Sequence, residues 1–185
     1  MMPVLCFGQT ADEFYISGNS KFALKDYEGA IADYTKAIEL KPDYANAYYN
    51  RGVSKDDLKD YYGAIADYDK AIELKPDYAS AYNNRGILKK NLKDYNGAIT
   101  DYTKAISLNP ASATAYNNRG NSKFALKDYE GAITDFTKAI SLNPDYAKAY
   151  INRGASKWYL KQDYCSDYKK ACELGDCNFY NRFCI

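Results

Sequence analysis

Small apolar and aromatic residues recur along the chain at the spacing of an α-helix. The pattern is clearest over residues 61–74, where apolar side chains fall at positions i, i+1, i+4, i+7 and i+8: Ala64, Ile65, Tyr68, Ala71 and Ile72. This spacing places them on one face of a helix and does not fit the alternation of a β-strand. A small and aromatic face over residues 45–58 predicts another helix directly before it.

The same pair of helical stretches returns every 34 residues. Prolines mark the interval at Pro42, Pro76, Pro110 and Pro144, and glycines mark it at Gly18, Gly52, Gly86, Gly120 and Gly154. Residues 19–31 recur without change as residues 121–133. The chain is therefore an array of one unit, and the five units span residues 11–44, 45–78, 79–112, 113–146 and 147–176.

The second helix of each unit has a start signal and a stop signal. An aspartate suited to an N-cap precedes it at Asp26, Asp60, Asp94 and Asp128. A Lys-Pro or Asn-Pro pair ends it, because proline disfavours helical backbone in the residue before it. Two helices of this size cannot bury their own apolar face, so neighbouring units must stack. These features predict an all-α solenoid of antiparallel helix pairs.

The aromatic and small residues at fixed positions of the unit make it resemble the tetratricopeptide repeat. The first aromatic place of that pattern is held by Phe14, Tyr48, Tyr82, Tyr116 and Tyr150. The small place is held by Ala30, Ala64, Ala98 and Ala132, and the second aromatic place by Tyr34, Tyr68, Tyr102 and Phe136. The resemblance covers roughly residues 11–176. It implies a right-handed superhelical solenoid that acts as a protein–protein interaction scaffold.

Composition excludes several classes of function. Lys and Arg number 25 against 24 Asp and Glu, so the net charge of +1 gives no long-range field for nucleic acid. There is no histidine, which removes the commonest general base, the usual catalytic triads and most catalytic zinc sites. No apolar run is long enough to cross a membrane. We expect a protein that is not an enzyme and needs no cofactor.

Cations stand in two places where the family has leucine and tyrosine. Arginine holds the first place at Arg51, Arg85, Arg119 and Arg153, and lysine the second at Lys21, Lys55, Lys89, Lys123 and Lys157. Both places point toward the interior, where an unpaired cation is costly. Aspartates recur on the second helices at Asp33, Asp67, Asp101, Asp135 and Asp167. We expect each arginine to reach the preceding unit, with the pairs Arg51–Asp33, Arg85–Asp67, Arg119–Asp101 and Arg153–Asp135. An anion site is the alternative.

The resemblance implies that the first helices form a concave groove for an extended peptide. A column of asparagines flanks this face at Asn50, Asn84, Asn118 and Asn152. An asparagine amide both donates and accepts, so it can pair with one peptide unit of a bound chain. Side-chain preference would be set by Tyr49, Asn83, Asn117 and Asn121. The alternative is that the column forms hydrogen bonds between adjacent helices and never meets a ligand.

A carboxylate clamp, which related co-chaperones use for acidic C-terminal tails, needs paired basic residues in the groove. The matching places hold Tyr15, Tyr49, Asn83, Asn117 and Ile151. We therefore expect a groove that binds the backbone of an extended segment. The alternative function is self-assembly of the solenoid into a homo-oligomer without a dedicated peptide ligand.

Four of the five cysteines lie near the C-terminus, where residues 177–185 are expected to form a capping helix. In an antiparallel hairpin the nested disulfides Cys172–Cys177 and Cys165–Cys184 are natural pairings. Reduced thiols and a four-thiolate zinc site are the alternatives, although the cysteine spacing is unusual for zinc.

The first ten residues, MMPVLCFGQT, resemble the tail of a secretory signal peptide without its basic region. Such a segment is either a signal remnant or disordered. Export to the periplasm or outside the cell would suit disulfides in the cap. A cytoplasmic location is the alternative if the segment is not a signal.

Overall fold

The computed structural model describes residues 9–184, which contain eleven α-helices and no strand. The first helices of the repeats are α1 (Ala11–Ala23), α3 (Ala45–Asp57), α5 (Ala79–Asn91), α7 (Ala113–Ala125) and α9 (Ala147–Tyr159). The second helices are α2 (Tyr27–Leu40), α4 (Tyr61–Leu74), α6 (Tyr95–Leu108), α8 (Tyr129–Leu142) and α10 (Cys165–Glu173). A last helix, α11, spans Asn178–Phe183. The two helices expected over residues 45–58 and 61–74 are thus α3 and α4.

The described chain forms two compact units, which part within α5. The first unit ends at Ala81 and the second begins at Tyr82. In the first unit, α1 packs against α2, α2 packs against α3, and α3 packs against α4. In the second unit the same order of contacts runs from α6 to α11. Within each unit, successive helices pack as a tetratricopeptide-type solenoid requires.

The predicted N-caps are confirmed. The carboxylate of Asp26 accepts a hydrogen bond from the backbone N–H of Gly29 at 3.0 Å, and Asp128 does the same for Gly131 at 2.9 Å. The first helix has its own capping box, in which Thr10 and Glu13 bond each other's backbone N–H groups. At the other end of α2, Lys41 leaves helical geometry with φ −139° directly before Pro42, as the steric effect of proline requires.

Each helix pair turns through a lysine in the left-handed backbone region. The φ angles of Lys25, Lys59, Lys93, Lys127 and Lys161 lie between 57° and 67°. In the first repeat the N–H of Asp26 bonds the carbonyl of Lys21, and the N–H of Lys25 bonds the carbonyl of Phe22. This is the Schellman pattern, which satisfies the last carbonyls of a helix.

Close approach of the paired helices explains the periodic glycines on the first helices. A Cβ on Gly18 would lie 2.6 Å from Cε1 of Tyr34, and one on Gly120 would lie 2.7 Å from Cε1 of Phe136. Both rings are almost fully buried. The glycine and the aromatic ring therefore form one packing unit.

The C-terminal cap is built on the shortened fifth repeat. Ile151, Tyr168 and Ala171 form a buried cluster, and Tyr180 and Cys184 from the chain end pack against it. The Sγ atoms of Cys165 and Cys184 lie at disulfide-bonding distance, as do those of Cys172 and Cys177. These are the nested pairs, and they tie α10 to the segment that carries α11.

None of the helices between residues 9 and 184 is both long enough and apolar enough to cross a membrane. Residues 1–8, on which most of the signal-peptide expectation rests, lie outside the described residues.

Candidate peptide-binding face

The expected pairing of arginines with the preceding repeat is wrong. Arg51 bonds Asp67, Arg119 bonds Asp135 and Arg153 bonds Asp167, so each arginine pairs with the aspartate of its own repeat. Arg85 likewise bonds Asp101. The expected partners of Arg51, Arg85, Arg119 and Arg153 were Asp33, Asp67, Asp101 and Asp135. Each of these aspartates lies one repeat before the observed partner. The two helices of a hairpin pack closely, and this brings the guanidinium to the nearer carboxylate.

The arginine still reaches the preceding repeat, through a threonine. In the second unit, Nε and Nη2 of Arg119 donate to Asp135 at 2.9 and 2.7 Å, while Nη1 donates to Thr103 at 3.1 Å. Lys123 adds an ion pair to the same carboxylate at 2.8 Å. The Asp135 side chain is only 2% exposed. Both cations are therefore paired within the fold with Asp135, so they are not available to bind a separate anion.

The first repeat has serine in place of arginine. Ser17 donates to Asp33 at 2.6 Å, and Lys21 pairs with it at 2.8 Å. Burial alone would raise the pKa of Asp33, but the hydrogen bonds from Lys21 and Ser17 hold it below its ordinary value. Asp33 is thus ionised near neutral pH without a guanidinium.

In the first unit the column asparagine is committed to neighbouring helices. The amide nitrogen of Asn50 donates to the hydroxyl of Tyr15 at 3.1 Å and to the amide oxygen of Asn19 at 2.9 Å. Tyr34 donates to the same oxygen at 2.9 Å. Burial raises the pKa of Tyr34 to about 12, which keeps this donor protonated. These bonds support the alternative, structural role for Asn50.

The column in the second unit forms similar bonds between first helices. The amide nitrogen of Asn152 donates to Asn117 at 3.1 Å, and that of Asn118 donates to Asn83 at 3.4 Å. Asn117 is buried, so it supports Asn152 and does not face solvent. Asn83 and Asn84 bond each other at 3.3 Å. Within the described part of the chain, the side-chain oxygens of Asn118 and Asn152 accept no hydrogen bond.

One exchange of residue types leaves a buried polar group behind this face without a partner. In the first repeat, Tyr34 bonds Asn19. The corresponding pair in the third repeat is Tyr102 and Ile87, and the buried hydroxyl of Tyr102 has no hydrogen-bond partner among residues 9–184. Isoleucine cannot accept the bond that asparagine accepts.

The fourth repeat has the converse exchange. Phe136 replaces the tyrosine, so Asn121 faces a ring without a hydroxyl. Asn121 is half-buried on α7, and its amide bonds no other described residue. Unlike the hydroxyl of Tyr102, the amide atoms of Asn121 are not buried and reach solvent. The Asn121 amide can therefore donate to and accept from a ligand.

Tyr49, the remaining predicted preference residue, belongs to an aromatic cluster in the first unit. Its ring lies 5.8 Å from that of Tyr68 and 4.7 Å from that of Tyr78. Aromatic pairs at such distances contribute packing energy. Tyr49 thus has a structural role in addition to whatever surface it offers a ligand.

No group of three or more described His, Cys, Asp or Glu residues could hold a metal ion. The cysteine pairs of the cap lie apart as two pairs, not as one four-thiolate cluster.

Sequence reasoning missed an aromatic pocket beside α11. The residues that line this pocket come from four helices, which are adjacent only in the folded chain. The clustering of Phe179, Tyr180 and Phe183 near the chain end was the available signal.

Three repeat-family models match the chain and together cover residues 18–146 without a gap. A TPR repeat model matches residues 18–55 and 89–126, and two tetratricopeptide repeat models match residues 45–78, 113–146 and 67–100. No curated protein matches the chain.

Solved structures show the same architecture. MamA is 25% identical, with 97% of this chain and 98% of MamA covered at a TM-score of 0.84. YrrB, a TPR protein with an unusual peptide-binding site, is 22% identical over 92% of this chain and 89% of its own, with a TM-score of 0.81. The first TPR of Spaghetti (RPAP3), bound to the HSP90 peptide SRMEEVD, is 30% identical over 64% of this chain and 94% of its own, with a TM-score of 0.62. By its sequence period, its stacked helix pairs and these matches, the chain belongs to the tetratricopeptide repeat family.

Proposed function

We propose that the chain is a non-enzymatic scaffold that binds an extended segment of a partner protein along the first helices of its repeats. The observation that carries the proposal is the open amide of Asn121 in the second unit. Beside it, the side-chain oxygens of Asn118 and Asn152 can each accept a hydrogen bond from a backbone N–H. Such a site would hold peptide backbone with little regard to side chains.

The related structures support a peptide ligand without identifying it. The RPAP3 repeat domain is bound to an HSP90 peptide, so helix pairs of this kind can bind a peptide. That peptide is acidic, whereas the clamp places of this chain hold Tyr15, Tyr49, Asn83, Asn117 and Ile151. We therefore place recognition on the asparagine amides and not on a cluster of basic side chains.

The proposal extends to the compartment. Two cysteine pairs at bonding distance in one small cap suit an oxidising environment, such as the periplasm or the exterior of the cell. With a net charge of +1, the chain has no long-range field to attract nucleic acid, so the proposal names no nucleic-acid partner.

Peptide binding is tested by selecting ligands for the wild-type chain from a random peptide library and measuring their affinity for variants. Asn121→Ala should weaken the selected peptides about 3-fold to 10-fold, because one net hydrogen bond contributes about 0.5–1.5 kcal/mol. Its melting temperature should stay unchanged, since the side chain bonds nothing within the described chain. Asn118→Ala should weaken binding as well.

A matched control is Asn96→Ala, which removes an exposed asparagine from the first turn of α6, away from the first helices. It should leave the affinity unchanged. Equal affinity of all three variants would contradict the proposed site. If no peptide is selected and the sedimentation coefficient rises with protein concentration, the chain is a self-assembling solenoid instead.

A further inference from the structure

The cap and the last repeats enclose an aromatic pocket in the second unit. Six aromatic residues line it: Phe124 from α7, Trp158 and Tyr159 from α9, Tyr168 from α10, and Phe179 and Phe183 from α11. The cavity measures about 260 Å³. Trp158 is 48% exposed and Phe183 is 42% exposed, so the pocket opens to solvent. Exposed aromatic surface concentrated in one place is typical of a binding site.

Existing contacts order the pocket wall. The Tyr159 ring stacks on Tyr129 at 4.7 Å and meets Trp158 at 4.8 Å. On the opposite wall, Phe179 lies 5.4 Å from Tyr168 and 6.2 Å from Phe183. A wall of rings packed on one another is preorganised, which lowers the entropy cost of binding.

The size and polarity of the pocket select the ligand. Pockets for whole drug-sized molecules run from about 300 to 1,000 Å³, while a cavity of about 150 Å³ suffices for benzene. The intermediate volume fits one ring-bearing side chain. The lining includes no charged residue. The nearby carboxylate of Asp167 is already paired with Arg153 and Lys157. A cationic ligand would lack a counter-charge, and the guanidinium of Arg182 beside the Phe183 ring would repel it. A neutral aromatic group is therefore favoured.

A cation lies beside one of the rings that line the pocket. The guanidinium of Arg182 lies 5.2 Å from the centre of the Phe183 ring, and Arg182 is exposed. Arg182 forms no ion pair with a carboxylate of the described chain. An acidic residue next to the aromatic side chain of a ligand would complement it.

The pocket continues the proposed peptide site. Phe124 lies one turn along α7 from Asn121, on the same side of the helix. We propose, as a deepening of the peptide-binding function above, that this pocket binds an aromatic side chain of the partner segment, with a neighbouring acidic residue of that segment against Arg182. Asn121 and the column would hold the backbone, and the pocket would select the segment.

A cysteine pair ties the segment that carries Phe179 and Phe183 to α10. The Cα atoms of Cys165 on α10 and Cys184 directly after α11 are 5.7 Å apart. Helix α11 has six residues, too few to be stable without tertiary support. Reduction of the Cys165–Cys184 link should free Phe179 and Phe183 from the pocket.

Trp158 is the single tryptophan of the chain, so its fluorescence reports on the pocket. The probe is a hexapeptide, Gly-Ser-Glu-Phe-Ser-Gly, acetylated and amidated at its ends. Titration into the full chain should shift the Trp158 emission to shorter wavelength and saturate. The same peptide with Ala for Phe should give no shift. The peptide with Gln for Glu should bind about 2-fold to 5-fold more weakly, as expected for an exposed ion pair.

A fold-safe variant closes the pocket. Ala155 is the smallest lining residue, and the same repeat position holds Val53 and Ile87 in other repeats. Ala155→Ile should therefore fold normally and weaken the hexapeptide at least about 10-fold by filling the space of the ring. The matched control, Ala66→Ile, changes an exposed alanine on α4 and should not alter binding. Reduction, or the double change Cys165→Ala/Cys184→Ala, should weaken binding as Ala155→Ile does.

The pocket is refuted if the Phe peptide gives no saturable shift, if the Ala peptide binds equally well, or if Ala155→Ile binds like the wild type. It is also refuted if phosphatidylcholine vesicles shift the Trp158 emission and the hexapeptide does not, which would make the rings a membrane-contact surface. If library-selected peptides lose affinity for Asn121→Ala but the hexapeptide does not shift the Trp158 emission, the proposed function is retained and the pocket is not. The reverse result would retain the pocket and remove the asparagine site.

Discussion

At the scale of single residues, the sequence predicted which side chains are buried better than it predicted their partners. The angular spacing of Arg119 and Lys123 on α7 correctly indicated that both point inward. The angle of a residue around its helix does not determine which of two aspartates is nearer. In the structure, each arginine pairs with the aspartate on the second helix of its own repeat. The same limit applies to Asn121, whose open amide depends on Phe136 standing where other repeats have tyrosine.

The buried carboxylate should matter more than the arginine that pairs with it. Asp135→Ala leaves the half-buried cations Arg119 and Lys123 unpaired and should lower the free energy of unfolding by about 3–5 kcal/mol. Arg119→Leu should cost clearly less, because Lys123 still neutralises Asp135. Urea denaturation measures both changes.

The control for this pair is Asp145→Ala, which removes an exposed carboxylate and should stay within about 0.5 kcal/mol of the wild type. If Arg119→Leu proved as damaging as Asp135→Ala, the guanidinium and not the carboxylate would be the indispensable member.

At the scale of helices, local signals carried most of the information. The aspartate N-caps, the prolines and the apolar stripes lie where α2, α4, α6 and α8 begin and end. The left-handed lysines, such as Lys25 and Lys127, were not foreseen. Lysine has no special preference for that region, and the hydrogen bonds of the turn impose it. Helix α11 could be anticipated as a cap, but not the pocket it helps to enclose.

The contact between Gly120 and Phe136 should be intolerant of one added methyl group. Gly120→Ala places a Cβ 2.7 Å from a ring that has no space to move. Overpacking should lower the free energy of unfolding by about 1–3 kcal/mol, although alanine favours the helix by about 1 kcal/mol. The loss should shrink when Phe136→Leu is made first, because the smaller side chain frees the space. A Gly120→Ala protein as stable as the wild type would show that the helices can separate at no cost.

At the scale of the whole molecule, the repeat period was enough to identify the family, and the departures from the repeat locate the candidate site. Identical scaffold positions recur in every repeat, so they carry no information about a partner. The exchanged positions at Ile87, Asn121 and Phe136 leave side-chain polar groups without a partner in the described chain, and the aromatic pocket lies at the shortened fifth repeat. They lie in the second unit, which is where we expect the ligand to bind.

We propose that the asparagine amides of the second unit hold a partner's backbone. The most direct test replaces single backbone amides of a selected peptide with esters, which removes one N–H donor at a time and keeps every side chain. At one or two positions the ester should weaken binding to the wild-type chain about 3-fold to 10-fold. At those positions it should have little further effect on a chain already carrying Asn118→Ala. If every ester peptide binds like its parent, while changes of peptide side chains abolish binding, the asparagine amides do not bind the peptide backbone.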